Sequence, residues 1–426
     1  MEGYNIAEIK GIKIGGGVQI IPLIDIQGTM LDRMESRDDT GVADAVDIML
    51  SQAVYHGSSD VHLEPWSDYL SLRYRLDGIL QQIAVIPSEF QPKIIARIKV
   101  LSDLVVYRKD VPQDGRIDRE KCSCGRPMRV STIPTIHGEK IVVRILGAAK
   151  DLYHLDMLGF PERIADSIRA LVTRPQGTLL LTGPSSSGKT TTIYAALHEM
   201  MQMQHNTINV VSIEDPVEYA MDRISQIQVN HHVEFTFAKA LRSILRQDPE
   251  VIVVGEIRDL ETAKMAIQAG LTGHLVISTI HSGTAAGVFT RLIDMDIEPF
   301  LIASSVTGVL AQRLVRLNCP DCTTAYKPDP LLARYFGIDL KKQRLYRGKG
   351  CSNCQHIGYR SRAGIGEMLV VDNEIAESIL RRPTTSQLHE IALKHGMIPL
   401  AEDGLEKAKR GITTIEELFR VLPSLG

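Results

Sequence analysis

The sequence predicts an α/β protein: a mostly parallel sheet covered by helices, with an α+β domain ahead of it and a cysteine-bearing module and helical tail behind. Three observations predict this. From residue 162 onward, short apolar runs and helical periodicities alternate repeatedly, as in parallel strands joined by crossover helices. Between residues 41 and 150 the alternating pattern of half-buried strands dominates instead. Beyond residue 318, two Cys-x-x-Cys pairs break the alternation.

A chain of 426 residues can hold about two to four domains with sizeable cores. The boundaries read as a segment 1–40, an α+β domain 41–150, a central domain 151–318, a four-cysteine module 319–365 and a helical domain 366–426. A net charge of −3, with near-equal acids and bases, exerts no global pull toward nucleic acid or anionic lipid. Met1-Glu2-Gly3 lacks the basic start and apolar core of a signal peptide. No apolar run approaches the roughly 20 residues of a membrane helix. The expectation is a cytoplasmic protein that meets membranes only through partners. Six cysteines in three close pairs then suggest metal ligands or thiols rather than a disulfide framework.

In chain order, Gly15-Gly16-Gly17 breaks the chain, Val18 to Ile26 looks strand-like, and the charged run Asp32 to Asp39 reads as a linker. Val42, Ala45, Val46, Met49, Leu50 and Ala53 fit one helical face that ends at His56-Gly57. Leu70, Leu72, Tyr74 and Leu76 alternate as a half-buried strand before the turn Asp77-Gly78. A helix is predicted over 88–101, a turn at Pro112 to Asp118, and strands at 127–133 and 140–146. Cys122-Ser-Cys124-Gly125 falls between two of the domain's strands; its thiols lack the C-x₂-C spacing that suits zinc, so a tight hairpin turn is expected.

Residues 151–161 link to the central domain. Helices are predicted at 162–172, 191–203, 237–246 and 260–269, and strands at 178–182, 209–213, 251–254 and 275–279. In such a sheet, ligands sit beyond the carboxyl ends of the strands. There the chain reads LLLTGPSSSGKTTT from Leu179 to Thr192, which satisfies G-x-x-x-x-G-K-[ST] between a strand and a helix. Glycines allow the turn and the close backbone approach that a phosphate chain needs, and the helix N-terminus adds about half a positive charge. Gly183, Pro184, Ser185, Ser186, Ser187, Gly188, Lys189, Thr190 and Thr191 are therefore the candidate nucleotide cradle. Lys189 is expected to reach the β- and γ-phosphates and the Thr190 hydroxyl to hold Mg²⁺. The chain binds a nucleoside triphosphate.

Three further motifs end on the same side. Ser212 to Glu218 carries Glu214, Asp215 and Glu218, which can order metal waters or accept a proton from an attacking one. In VIVVGE (Val251 to Glu256), Gly255 occupies the position where an aspartate is usual, so Glu256 must act as the carboxylate. His274 and His281 bracket one short strand, and His281, at its exit, could sense the γ-phosphate. Phosphoryl transfer also calls for cations, often supplied in trans, which would favour an oligomer; Arg97, Arg108 and Arg116 are candidates.

Cys319, Cys322, Cys351 and Cys354 offer four thiolates at a spacing that suits closed, tetrahedral, structural Zn²⁺. Downstream, 358–371 reads as turn and strand, Leu388 to His395 as helix, and Thr414 with Glu417 as a capping box.

Taken in order, GPSSSGKTTT, SIEDPVEY, ILRQDPEVIVVGEIRD, AGLTGHLVISTIH and the two C-x₂-C pairs resemble the secretion ATPases of type II secretion and type IV pilus assembly. SDVHLEP, RYRLDG and VPQDGRI resemble that family's second N-terminal domain. The resemblance implies a RecA-like P-loop NTPase core that hydrolyses ATP with Mg²⁺. It puts Lys189 and Thr190 in the Walker A loop, Glu214 and Asp215 in the Asp box, Glu256 in the Walker B box, and His274 and His281 in the His box. Arg97, Arg108 and Arg116 fall in the region that supplies arginines across subunit boundaries. It further implies a cytoplasmic hexamer docked on an inner-membrane platform, driving pilin-like subunits. The family's pilus retraction motors lack the four cysteines.

The chain departs from the pattern in three respects. It has SSSGK where the family usually has TGSGK, its matched region starts near residue 41 without the family's first N-terminal domain, and Cys122 and Cys124 lie outside the family pattern. Two rivals remain at this level. A nucleic-acid translocase would use a related sheet, against which 8 Phe and 1 Trp leave little for base stacking. A nucleotide-dependent scaffold would bind without turnover.

Overall fold

The computed structural model describes residues 20–35, 40–147, 154–205 and 207–422. The glycine break at 15–17 and the end of the charged run at 36–39 lie outside them. The chain divides into two compact units, residues 1–147 and 148–426.

Among the described residues, the first unit is one six-stranded antiparallel sheet with three α-helices packed on it. Its elements are α1 (Leu23–Met34), α2 (Gly41–Tyr55), β1 (Asp60–Pro65), β2 (Tyr69–Leu76), β3 (Ile79–Pro87), α3 (Gln91–Leu101), β4 (Gln113–Ile117), β5 (Met128–Thr135) and β6 (Gly138–Ile145). The strand order is β3-β2-β1-β6-β5-β4. Alternation puts Leu70, Leu72, Tyr74, Ile141 and Val143 into a core with Val46, Met49, Ile94 and Ile98. The opposite face carries ion pairs: Glu64 takes Arg73 and Lys140, and Asp60 takes Arg144 at 2.9 Å.

Three expectations change here. Leu23 to Met34, including the start of the charged run, belong to helix α1, because Ile26, Met30 and Met34 recur every four residues and bury one face. Pro22, just ahead of the helix, ends the β-branched run that suggests a strand. Residues 113–117 form strand β4, with Asp114 opposite Ser131, rather than a turn. Gly115 is needed there because the Ser102 carbonyl and the Leu104 side chain press against its Cα. Finally, Cys122 and Cys124, both buried, are joined as a disulfide instead of remaining free thiols. The turn expected around them is present, closed by Gly125 N–H on the Cys122 carbonyl at 3.0 Å. Asp77 and Gly78 both take positive φ, the conformation of a two-residue hairpin.

The second unit contains α4 (Glu162–Val172), β7 (Gly177–Thr182), α5 (Lys189–Met203), β8 (Val210–Glu214), β9 (Ser225–Gln228), α6 (Phe237–Ile244), β10 (Val251–Ile257), α7 (Leu260–Leu271), β11 (Leu275–Ile280), α8 (Ala285–Asp294), α9 (Pro299–Ser305) and β12 (Val306–Asn318). It continues with β13 (Thr323–Tyr326), α10 (Pro330–Tyr335), β14 (Leu345–Gly348), β15 (Tyr359–Val370), α11 (Asn373–Leu380), α12 (Thr385–Lys394), α13 (Leu400–Lys409) and α14 (Ile415–Val421). Seven strands form one sheet in the order β15-β12-β7-β11-β10-β8-β9, parallel except for β15 against β12. Strand β7 is buried on both faces, with Leu180 in the layer under α7 to α9 and Leu179 and Leu181 in the layer under α4 and α5. The sheet reaches past residue 318 to include β15.

Strand β12 is paired on both sides, with β7 over its first half and β15 along nearly its whole length. It delivers Cys319 directly into the cysteine module. The Thr414–Glu417 capping box forms only in part: Thr414 Oγ1 accepts from the Glu417 N–H at 3.1 Å, but the Glu417 carboxylate turns to Arg316 and Arg420.

Candidate active site

The loop from Gly183 to Gly188 leaves the carboxyl end of the interior strand β7 and enters α5. Gly183 has φ +150°, and a Cβ on it would lie 2.5 Å from the Gln312 carbonyl; Gly188 is left-handed at φ +87°. Both conformations favour glycine. Lys189 Nζ donates to the carbonyls of Gly183 and Pro184 at 2.9 and 3.0 Å, folding back over its own loop. Burial lowers the Lys189 pKa, Glu256 opposes this, and Arg313 adds to it. Pro184, Ser185, Ser186 and Thr190 are exposed, and Thr191 is half-buried in the first turn of α5. Ser187, in contrast, is buried with its hydroxyl unpartnered. An unpartnered hydroxyl, an ammonium held only by carbonyls and a helix N-terminus together fit a polyanionic ligand.

Glu214 ends β8, which β11 and β10 separate from β7. It is buried, and both its oxygens are engaged: Oε2 accepts from the Tyr194 hydroxyl, and Oε1 from Ser212 Oγ at 2.6 Å and Gln226 Nε2 at 3.2 Å. Burial, followed by the Glu214 charge, pushes the Tyr194 phenol far above its ordinary pKa, so it remains a donor. Asp215, next in the chain, is partly exposed and lies 3.0 Å from His231 Nε2.

Glu256 lies at the carboxyl end of β10, the strand between β8 and β11. Its Oε1 takes Arg258 at 2.6 Å, and its Oε2 lies 3.6 Å from His281 Nε2. Gly255 fits where an aspartate would crowd: a Cβ there would stand 3.2 Å from the Ile213 carbonyl. His281 follows β11 directly, and the register of β11 on β7 (Ile280 opposite Thr182) carries it to the level of Gly183. His274 stands at the opposite end of the same strand. Its Nδ1 lies 3.2 Å from the Ala269 carbonyl, and its own carbonyl accepts from Gly177 N–H. About 20 Å of strand separates it from the phosphate loop.

The structure thus gathers Lys189, Glu256 and His281 at one end of the second unit's sheet, with Glu214 and Asp215 on the neighbouring strand end. Arg97, Arg108 and Arg116 belong to the first unit. Arg97 lies on α3 with Nε buried and unpartnered, Arg108 is exposed in the loop before β4, and Arg116, on β4, is 3.7 Å from Asp118. Sequence reasoning missed the roles of Tyr194, Gln226, Gln312 and Arg313. The first three are neutral polar residues with no motif spacing. Arg313 sits in the apolar pattern of β12, where a charge is itself a signal.

The four Sγ atoms of Cys319, Cys322, Cys351 and Cys354 lie within 4.8 Å of one another. Two C-x₂-C turns bring them together, with β13 and β14 pairing between the turns. Four converging thiols are a soft donor set that fits a divalent metal. Burial pushes the Cys319 thiol up to about 12, so a cation at the centre would be needed to hold it as thiolate. Among the described residues, no helix is long and apolar enough to cross a membrane.

The likeness to known proteins follows the same lines. Residues 35–420 match the family described as type II/IV secretion system protein. The type II secretion system ATPase E of Vibrio cholerae is 45% identical over 393 residues, covering 92% of this chain and 77% of that protein. The type IV pilus assembly ATPase PilB of Thermus thermophilus is 42% identical over 385 residues, covering 90% of this chain and 43% of that protein. Two solved structures share the fold. The Legionella pneumophila ATPase DotB has a TM-score of 0.67 at 19% identity, covering 91% of this chain and 98% of that one. The pilus retraction motor PilT with bound ADP has a TM-score of 0.60 at 23% identity, covering 89% and 97%.

Proposed function

This chain belongs to the type II/IV secretion system protein family and is a secretion or pilus-assembly ATPase; from that premise we propose that it works as a hexamer on the cytoplasmic face of an inner membrane. There it would convert ATP hydrolysis into movement of pilin-like subunits through membrane-embedded platform proteins. The observation that carries the proposal is Lys189 bridging two loop carbonyls at the end of β7, with Glu256 and His281 on the next strand ends.

In this reading the phosphate chain of ATP takes Lys189 from the Gly183 and Pro184 carbonyls. Thr190 and Asp215 would hold Mg²⁺, which supplies charge neutralisation of the phosphates. Glu256 is the general base. A base needs an accessible lone pair within reach of the attacking water, and Glu256 has a side chain 17% exposed beside His281, whereas both oxygens of Glu214 are occupied. Glu214 then serves to fix the strand end that bears Asp215. Arg97, Arg108 and Arg116 would act on the nucleotide of an adjacent protomer, as cations supplied in trans do. The four cysteines would hold Zn²⁺ in a closed, structural site with no position for substrate.

The test is phosphate release by the purified, zinc-loaded chain, with its assembly state measured alongside, in the presence and absence of the cytoplasmic region of a platform protein. Turnover that rises on assembly and on adding the platform protein is expected. Material that neither binds adenine nucleotides nor self-associates would end this reading, and strong stimulation by single-stranded DNA would favour a translocase.

A further inference from the structure

Arg313 is a buried cation beside the phosphate loop that the reading above leaves without a role. It lies on β12, which runs parallel to β7 and continues past Thr182 to pass beneath the phosphate loop. Its guanidinium donates to the Gln312 carbonyl at 3.0 Å and to the Gly283 carbonyl at 3.1 Å. Among the described residues, no carboxylate lies within ion-pair distance of it. Glu367, the acid whose charge it feels, uses its oxygens on the N–H groups of Ala285 and Leu400. An arginine buried with carbonyl partners alone is costly to keep, so its geometry calls for an explanation beyond packing.

Its two acceptors give one. The Gln312 carbonyl is the group packed against Gly183, and Gln312 Nε2 donates to the Ser187 carbonyl at 2.7 Å, so this end of the guanidinium is tied to the phosphate loop. Gly283 lies two residues after His281. The turn between His281 and α8 is held from three strands: Thr182 Oγ1 of β7 bonds both N–H and C=O of Ser282, Arg313 of β12 takes Gly283, and Glu367 of β15 takes Ala285. Thr182 and Glu367 grip the ends of the turn. Arg313 joins its middle to the loop.

We propose that Arg313 is a positioning residue for ATP hydrolysis, fixing the turn that carries His281 to the base of the phosphate loop. The fork geometry matters: a guanidinium can donate to two carbonyls at once, whereas an ammonium offers one compact point charge. The inference rests on His281 acting at the γ-phosphate.

The experiment compares Arg313→Met and Arg313→Lys with the unchanged protein, full-length and metal-loaded, by steady-state kinetics, binding of a fluorescent ATP analogue and backbone hydrogen exchange. Misplacing a group that must meet the reacting phosphate should lower kcat about 10- to 100-fold in Arg313→Met, with nucleotide affinity changed less than about threefold. Exchange should quicken at 282–284. Adding His281→Ala to Arg313→Met should cost little further activity, because both act through one turn. Unchanged exchange at 282–284 overturns the proposal, as does a loss confined to nucleotide affinity or one that is additive with His281→Ala. Should Arg313→Met fail to fold, Arg313→Lys carries the same three readouts. A fully active His281→Ala protein, by contrast, removes the role of His281 and leaves the exchange result to judge the tether separately.

Discussion

Glu214 and Glu256 close adjacent strands of one sheet, yet their surroundings differ in kind. Glu214 is buried with three donors on its two oxygens, contributed by α5, β8 and β9. Glu256 has one arginine on one oxygen and leaves the other facing His281 across 3.6 Å. The same side chain thus serves as a fastening in one place and remains available for proton transfer in the other. What separates the two roles is the number of committed lone pairs, which no residue type or spacing reveals.

The comparison breaks or sharpens in a definite order. Glu256→Gln should lower kcat by about 10²- to 10⁴-fold while ATP is still bound, since it would remove the proposed base but keep the shape; a small change here, with a large one in Glu214→Gln, would exchange the two roles. Next comes Glu417, a second fastened carboxylate, fully buried against Arg316 and Arg420. Glu417→Ala leaves buried charge unpaired and should cost about 3–5 kcal/mol in a denaturant titration.

The pH dependence of that contribution has a fixed sign. Burial pushes the Glu417 carboxyl up, but hydrogen bonds from Arg420 and Arg316 outweigh it and hold the pKa below the usual range. A folded-state value below the unfolded one means that the stabilisation is complete above the ordinary glutamate pKa of about 4.3 and drains away as pH falls toward the depressed value. Melting temperature should therefore drop more steeply in acid for the unchanged protein than for Glu417→Gln.

Glu214→Gln should cost about 1–3 kcal/mol of stability and a modest share of kcat, because its donors lose a charged acceptor. Tyr194→Phe removes one of those donors and should cost about 1 kcal/mol, read by thermal melting. His274→Ala should be the smallest effect, leaving kcat within about twofold of normal: the residue lies at the far end of β11, about 20 Å from the loop. His281→Ala, at the near end, is its control.

Strands β7, β8, β10 and β11 are legible in the sequence because they are largely buried and read as continuous apolar runs. Gly183 to Thr190 is legible because the loop must keep glycines and a lysine at set distances. In contrast, β9, short and polar, and β12, interrupted by Gln312 and Arg313, do not read as strands. The first unit is also less legible. Strand β1 is only six residues long and offers just Val61 and Leu63 as apolar alternates to Asp60, His62 and Glu64, too short a pattern to stand out, and β4 carries an Asp-Gly that resembles a turn. Ahead of α1, the β-branched run that ends at Pro22 outweighs the four-residue recurrence of Ile26, Met30 and Met34. The fastening of Glu214 cannot be read either, since Tyr194 and Gln226 come from elements that are distant in sequence and meet only in the folded sheet.

Strand β12 has a mechanical consequence. From Gln312, which holds the phosphate loop, to Cys319, which opens the cysteine module, is a run of about 23 Å of extended backbone, braced by β15 over most of that length. A fully extended chain cannot lengthen, and a braced one does not buckle. A displacement of the loop along the strand axis would thus be carried toward the cysteines as through a push-rod, with the irregularity between Arg316 and Asn318 as its one joint.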